Sequence, residues 1–397
     1  MHIEQEYLMN ADIGTVVKTG SSQQTDPKKA VQELYDAIYQ ADVSFAVFYC
    51  SANYDLVALE KALAEKFADI PLIGCTTAGE IGPDGLCDDS ITGFTMHSEN
   101  LNIATSRLPN NKVSTEQIKS TYVELQKQAK QPNSDLSNNW EHFIFLLCDG
   151  MSGLEERIVG ALHDVSKAVP LVGGSAGDCN RFNRTHVYHE GEFHTNETLI
   201  SLVNTSIPFT AFKTENFIDN GGKKMVVTGA DITKRIVTEV NGIPAAKGYA
   251  ELFDVPVDEL TPRFLGAHPV AVKIGDTLYV RSILQKMRDL TEPGKDGLLF
   301  ACAIDEGVVL TVVEETYIVP DLENAFAQAR EQVGEPVLTL GFDCMFRKLK
   351  YAAHEADAEI AQIMLNNKVI GFHTYGEQYN SLHVNNTFTA ITFGKES

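Results

Sequence analysis

The side chains of this 397-residue chain with the widest chemical reach are its histidines and cysteines. A neutral imidazole at a strand end beside a cavity can hold a haem iron or another metal through one ring nitrogen. Five histidines have such a setting: His189 and His194 flank Glu190-Gly191, His268 precedes Pro269, His373 lies inside a glycine loop, and His383 opens His383-Val384-Asn385-Asn386. No pair has the spacing of H-E-x-x-H or of a zinc finger, which argues against a zincin or a structural zinc site. For each histidine the alternative is a hydrogen-bonded core or surface residue.

Cysteine chemistry is the main enzymatic alternative. Cys75 sits in a glycine loop, but its counterparts in the related loops are Gly174 and Phe372, and no base is placed to activate it. Cys148-Asp149-Gly150-Met151-Ser152-Gly153 is not the G-x-S-x-G elbow. The cysteines number seven, without a C-x-x-C, and Cys50, Cys75, Cys148, Cys302 and Cys344 lie in or at the ends of apolar runs, where a free thiol behaves as a small hydrophobe. Glu80, Asp178 and Glu377 are candidate acids or bases. A carboxylate that recurs after a glycine loop more often caps the loop or pairs with an arginine such as Arg347 or Arg281.

These residues hang on a repeated unit. Pro71 to Glu80, Pro170 to Asp178 and Val369 to Glu377 are each an apolar run that opens into glycine and small hydroxyl residues and closes on a carboxylate. About 24 to 27 residues upstream of each first glycine, an apolar run ends in Cys50, Cys148 or Cys344, with a helical pattern between. A further strand follows each loop, at Ile91 to Met96, Leu199 to Val203 and Thr387 to Phe393. The unit reads β-α-loop-β-glycine loop-β, used three times. A β-α-β crossover puts the glycine loop at the carboxyl end of a parallel strand, the usual place for a ligand. Gly74, Thr76, Gly173, Ser175, Gly371, Thr374 and Glu377 are therefore candidate ligand-loop residues. The other reading is a sharp turn whose hydroxyls satisfy local backbone groups. Neither a Walker nor a dinucleotide fingerprint is present.

The fold class expected is α/β: two domains of repeated β-α-β-β units, mixed sheets with helices packed on them, and a β-rich insertion in the C-terminal domain. Residues 1–26 read as a polar lead-in with one short strand near Thr15-Val16-Val17. Residues 27–229 hold two units, and 230–397 hold the β-rich part and the third. Asp26-Pro27 predicts a helix start, Ser114 and Gln117 a capping box, and Gln131 to Asn139 a polar linker. A net charge of −22 disfavours nucleic acid and anionic membranes as partners. Without a signal-like start or a membrane-length apolar run, the expectation is a reduced, cytoplasmic protein.

The loops Gly74-Cys75-Thr76-Thr77-Ala78-Gly79-Glu80 and Gly173-Gly174-Ser175-Ala176-Gly177-Asp178, with the closing Gly371 to Gln378 and His383 to Thr387, resemble the FIST sensory module in both its N- and C-terminal parts. The resemblance covers roughly residues 40 to 395. Thr185 to Gly191, Ala267-His268-Pro269-Val270, Ala303 to Gly307 and Thr374 to Gln378 are similar to the nitric-oxide-sensing haem proteins called NosP. That resemblance implies a non-enzymatic sensor binding haem b through a histidine. His268 and His383 are favoured, with His373, His189 and His194 behind them. It also implies nitric oxide as ligand, a histidine kinase or cyclic-di-GMP enzyme as partner, and a possible homodimer. The alternatives are a haem-free FIST sensor of a small metabolite such as an amino acid, and a thiol enzyme.

Overall fold

The computed structural model describes residues 14–110, 113–129, 140–288 and 294–396. The expected linker at Gln131 to Asn139 lies outside the described residues.

Each unit builds the core of one six-stranded sheet. In the first, strands Phe45–Ser51 and Leu72–Thr77 run parallel, joined by the crossover helix Leu56–Lys66. Asp55 caps that helix through the N–H groups of Val57 and Ala58. Strand Ile91–His97 returns antiparallel against Phe45–Ser51, and Val16–Ser22, the short strand expected near the N-terminus, pairs beyond it. The same plan recurs in Glu141–Cys148, Leu171–Ser175, Glu197–Thr205 and outer strand Leu101–Pro109. It recurs again in Leu338–Cys344, Val369–Thr374, Phe388–Phe393 and outer strand Phe209–Thr214.

What the repeat alone does not reveal is a cyclic exchange of hairpins. The chain leaves each glycine loop in a two-stranded hairpin that pairs with another unit's sheet. Glu80–Gly82/Gly85–Cys87 extends the third sheet, Val187–His189/Glu192–His194 the first, and Glu377–Tyr379/Leu382–Val384 the second. The three sheets therefore close a ring.

The strands are apolar on both faces, as parallel strands covered on both sides must be. One face of each six-stranded sheet points into a shared core, in which Tyr49, Phe145, Phe342 and Phe372 of the three units meet. Fully burying a side chain of this size stabilises the fold by about 1.5–3 kcal/mol. The other faces are covered by helices. Pro27–Ile38 and Leu56–Lys66 cover the first sheet, Thr115–Gln128 and Glu155–Ser166 the second, and Ile318–Val333 with Met345–Ala353 and Asp357–Asn366 the third. Asp26 and Ser114 cap their helices, accepting from Lys29 N and Gln117 N.

The β-rich segment between Lys224 and Val312 forms its own eight-stranded antiparallel sheet, with its own core around Tyr249, Phe300 and Leu310. All seven cysteines are free thiols. Among the described residues, no helix is long and apolar enough to cross a membrane.

Candidate functional site

The glycine loops are built alike. The first glycine presses its Cα on the neighbouring strand: a Cβ on Gly74 would lie 2.5 Å from Phe48, and one on Gly173 or Gly371 would overlap the carbonyl of Leu146 or Gly341. In two loops the closing glutamate is a latch. Glu80 accepts from the Thr77 hydroxyl with one oxygen and from the Ser90 N–H (3.1 Å) and hydroxyl (2.7 Å) with the other. Glu377 accepts in the same way from Thr374 and from Thr387, 3.3 Å to its N–H and 2.6 Å to its hydroxyl. Burial pushes both carboxyls up, Glu80 to about 7 and Glu377 to about 8, against the hydrogen bonds that favour ionisation.

The second loop departs from this plan. In its hairpin the register position of Glu80 and Glu377 falls on Val187. Asp149 takes the latch, accepting from Thr185 and from Asn196 N. Asp178 instead caps a tight loop, accepting from the N–H groups of Arg181 to Arg184 and from the Tyr375 hydroxyl. None of the three carboxylates pairs with Arg347 or Arg281, the partners suggested by sequence. Helix Met345–Ala353 starts directly after its strand and turns Arg347 back onto Asp343, 2.7 Å from Nε to Oδ1.

The same junction of loop and neighbouring hairpin places Ser175, His373 and Thr76 at related positions, each exchanging backbone hydrogen bonds with the incoming hairpin or loop. Their surroundings differ. His373 is fully buried with Asp343, Arg347 and Tyr351; its Nδ1 lies 3.3 Å from Asp343 Oδ2, and its Nε2 has no partner. Burial pushes Asp343 up, but the Arg347 guanidinium together with His373 and the Tyr351 hydroxyl holds it below the usual carboxylate range.

The junction at Ser175 is the richest. Ser175 Oγ donates to Glu155 (3.2 Å), and Gln378 Nε2 donates to Ser175 Oγ (2.9 Å) and to His383 Nδ1 (3.3 Å). The β-rich segment supplies Arg235, whose Nη2 lies 2.7 Å from both Glu155 and Glu156, and Arg281, which donates to the His383 carbonyl at 3.3 Å. Beside Gly376, where a Cβ would meet His383 Nε2 at 2.7 Å and Asn385 Nδ2 at 3.2 Å, several buried polar atoms have no partner. These are Gln378 Oε1, His383 Nε2 and both amide atoms of Asn385. Buried polar atoms are almost always paired in folded proteins, so a concentration of orphans marks a place where a polar ligand or water completes the bonding.

Burial holds His383 below its ordinary value, against Glu156 and Glu155, so its imidazole is neutral. With Gln378 donating to Nδ1, its remaining hydrogen sits on the unpartnered Nε2. Burial pushes Glu156 up, but Arg235 and the Ala303 N–H are among the groups that hold it below its ordinary value. The cluster thus offers donors, an acceptor and balanced charge.

The structure brings Ser175, Gly173, Thr374, Glu377 and His383 to this junction and disperses the other candidate histidines. His268 ends the helix Pro262–Ala267, its Nδ1 2.9 Å from the Phe264 carbonyl and its ring stacked on Phe264. His194 lies 2.9 Å from Arg107. His189 lines an open cavity of about 710 Å³, and its Nδ1 is buried without a hydrogen-bond partner, 3.8 Å from the Glu190 carboxylate. Cys75 is fully buried, and burial, Glu80 and Cys148 push its thiol far above the range of a nucleophile. Arg235, Glu155 and Asn385 were not singled out from sequence. Asn385 alone had a signal, as a neighbour of His383.

Interlocked α/β sheets with a polar site where loop, hairpin and insertion meet are not the architecture of a dinucleotide-binding fold. The FIST N domain model matches residues 44–243 and the FIST C domain model residues 245–380. The chain belongs to the FIST family, whose domains are small-molecule sensing modules of signalling proteins. It is also similar to an uncharacterized protein of Methanocaldococcus jannaschii, 23% identical over 368 residues that span 81% of this chain and 67% of that protein.

Proposed function

We propose that the chain is a haem-free sensor of a small zwitterionic metabolite, an amino acid, held at the Ser175–His383 junction, with a binding rather than a catalytic role. The carrying observation is the group of buried orphans around Gly376: His383 Nε2–H and the Asn385 amide N–H to receive a carboxylate, Gln378 Oε1 and Asn385 Oδ1 to receive an ammonium. A ligand there would touch the second unit, the third unit's hairpin and, through Arg235 and Arg281, the β-rich segment. Its occupancy would bias how these parts sit together, and that is what a partner, a histidine kinase or a cyclic-di-GMP enzyme, would read. The test is calorimetry of the purified protein against a panel of amino acids. One or a few should bind, and Asn385→Ala should weaken them tenfold or more, as loss of bonds to buried groups does. Absence of heat across the panel, or unchanged affinity in Asn385→Ala, refutes the assignment.

A second reading, a haem-based nitric oxide sensor, is favoured by one observation, the cavity at His189. A macrocycle would suit the walls of Phe45, Phe67, Leu72 and Ile103, and His189 would supply the iron's nitrogen ligand. The lining includes Asp69 and Glu190 but no cation, which does not suit haem propionates. His268, His373, His383 and His194 do not line this cavity. Haem held there would supply an iron able to take nitric oxide. A Soret band that moves with nitric oxide and is lost in His189→Ala supports this reading; a preparation that retains no haem after reconstitution removes it.

A further inference from the structure

A second cavity, of about 450 Å³, opens between the β-rich segment and the third unit. Leu265 and Gly266 of the helix Pro262–Ala267 form one wall, and Phe346 and Leu349 of the helix Met345–Ala353 the other. Its size falls in the usual range for small-molecule sites, which are mostly apolar with a few placed polar groups.

Two polar features point to the occupant. On the floor, Asn386 is 5% exposed; its Nδ2 donates to Ser282 Oγ at 2.6 Å, and its Oδ1, buried, has no partner. That bond leaves a lone acceptor among apolar walls, which asks for a hydroxyl or N–H donor. At the mouth stands the exposed Arg263, and the lining holds no carboxylate although the chain carries a net charge of −22. The other lining cation, Lys350, is engaged by Glu315 at 3.2 Å and by the Phe217 ring at 4.2 Å, which leaves Arg263 as the lining cation available to an anion.

We propose that this groove binds a small aromatic carboxylate carrying a ring hydroxyl. The ring lies between Leu265 and Phe346, the hydroxyl donates to Asn386 Oδ1, and the carboxylate faces Arg263. The groove shares no lining residue with the amino-acid site, although Asn386 and Ser282 follow Asn385 and Arg281 in the chain. Because its walls belong to different parts of the molecule, an occupant would act as a wedge between them.

Calorimetry of the full chain with 4-hydroxyphenylacetate, phenylacetate and tyrosol tests this. The hydroxylated acid should bind, phenylacetate roughly tenfold or more weakly, since it leaves Asn386 Oδ1 unpaired. Tyrosol, lacking the charge, should bind about two- to fivefold more weakly, and that gap should narrow at high salt. Gly266→Trp should abolish binding without unfolding the protein, because a Cβ at Gly266 meets no atom within 4 Å. Asn385→Ala, which disables the amino-acid site, should leave the affinity for 4-hydroxyphenylacetate unchanged. The proposal is overturned by no binding at millimolar ligand, by equal affinity for phenylacetate, by wild-type binding in Gly266→Trp, or by loss of binding in Asn385→Ala.

Discussion

Glu377 ties Thr374 to Thr387 from a fully buried position, and burial pushes its carboxyl up to about 8. An acid whose folded pKa exceeds its unfolded value, here 4.5, is bound to its proton more tightly in the folded state. Its contribution to stability is fully present below the unfolded value and is lost as pH rises through the folded one. Denaturation midpoints should therefore fall between about pH 5 and about pH 9, and Glu377→Gln should flatten that slope. Equal slopes in the two proteins would clear Glu377 of the effect. Arg347 and Asp343 form a buried pair with no exposure at either side chain. Arg347→Met should cost about 3–5 kcal/mol in urea unfolding, because it strands a buried charge. The double variant Arg347→Met, Asp343→Leu should cost less than the two single changes combined. The glutamate latches were half legible in sequence: a hydroxyl stands three residues before each, but the partner ten residues on is fixed only by the hairpin between. Arg235 was not legible, since what brings it to Glu155 is the docking of the β-rich segment on the second unit.

At the scale of elements, the strands and crossover helices were readable because buried parallel strands make continuous apolar runs and their helices keep one apolar stripe. The destination of the hairpins was not readable. A three-residue strand such as Glu80–Gly82 carries too little pattern to choose between the edge of its own sheet and that of another. The first glycine of each loop presses on the neighbouring strand, and it separates a packing role from a ligand role. Gly371→Ala should destabilise the protein by about 1–3 kcal/mol or more, since its Cβ would overlap the Gly341 carbonyl. Gly160→Ala, in the interior of the helix Glu155–Ser166 with nothing within 4 Å of the new Cβ, should stabilise it by about 0.5–1 kcal/mol. Thermal unfolding of both variants checks the pair. A neutral Gly371→Ala would show that the loop yields, and would reopen a ligand role for that glycine.

For the whole molecule, the ring of exchanged hairpins means that the division between family halves is not a division of packing. The third unit closes the chain after the β-rich segment, yet its sheet is completed by residues Glu80 to Cys87, and its own hairpin completes the sheet of the second unit. A chain cut after Ile207 would leave an N-terminal fragment with the edge of Leu171–Ser175 unpaired and with the hairpin at Glu80 lacking its sheet. Unpaired edges of this kind recruit other chains. Each fragment expressed alone should therefore self-associate, whereas co-expression should give a one-to-one complex that elutes at the position of the intact protein. The intact chain should lose its three interlocked sheets in one cooperative transition, because their inner faces share a single core. A monomeric N-terminal fragment that unfolds cooperatively without its partner would mean that the first two units carry their own stability. The hairpin exchange would then be an ornament of the fold rather than the closure that holds the three sheets together.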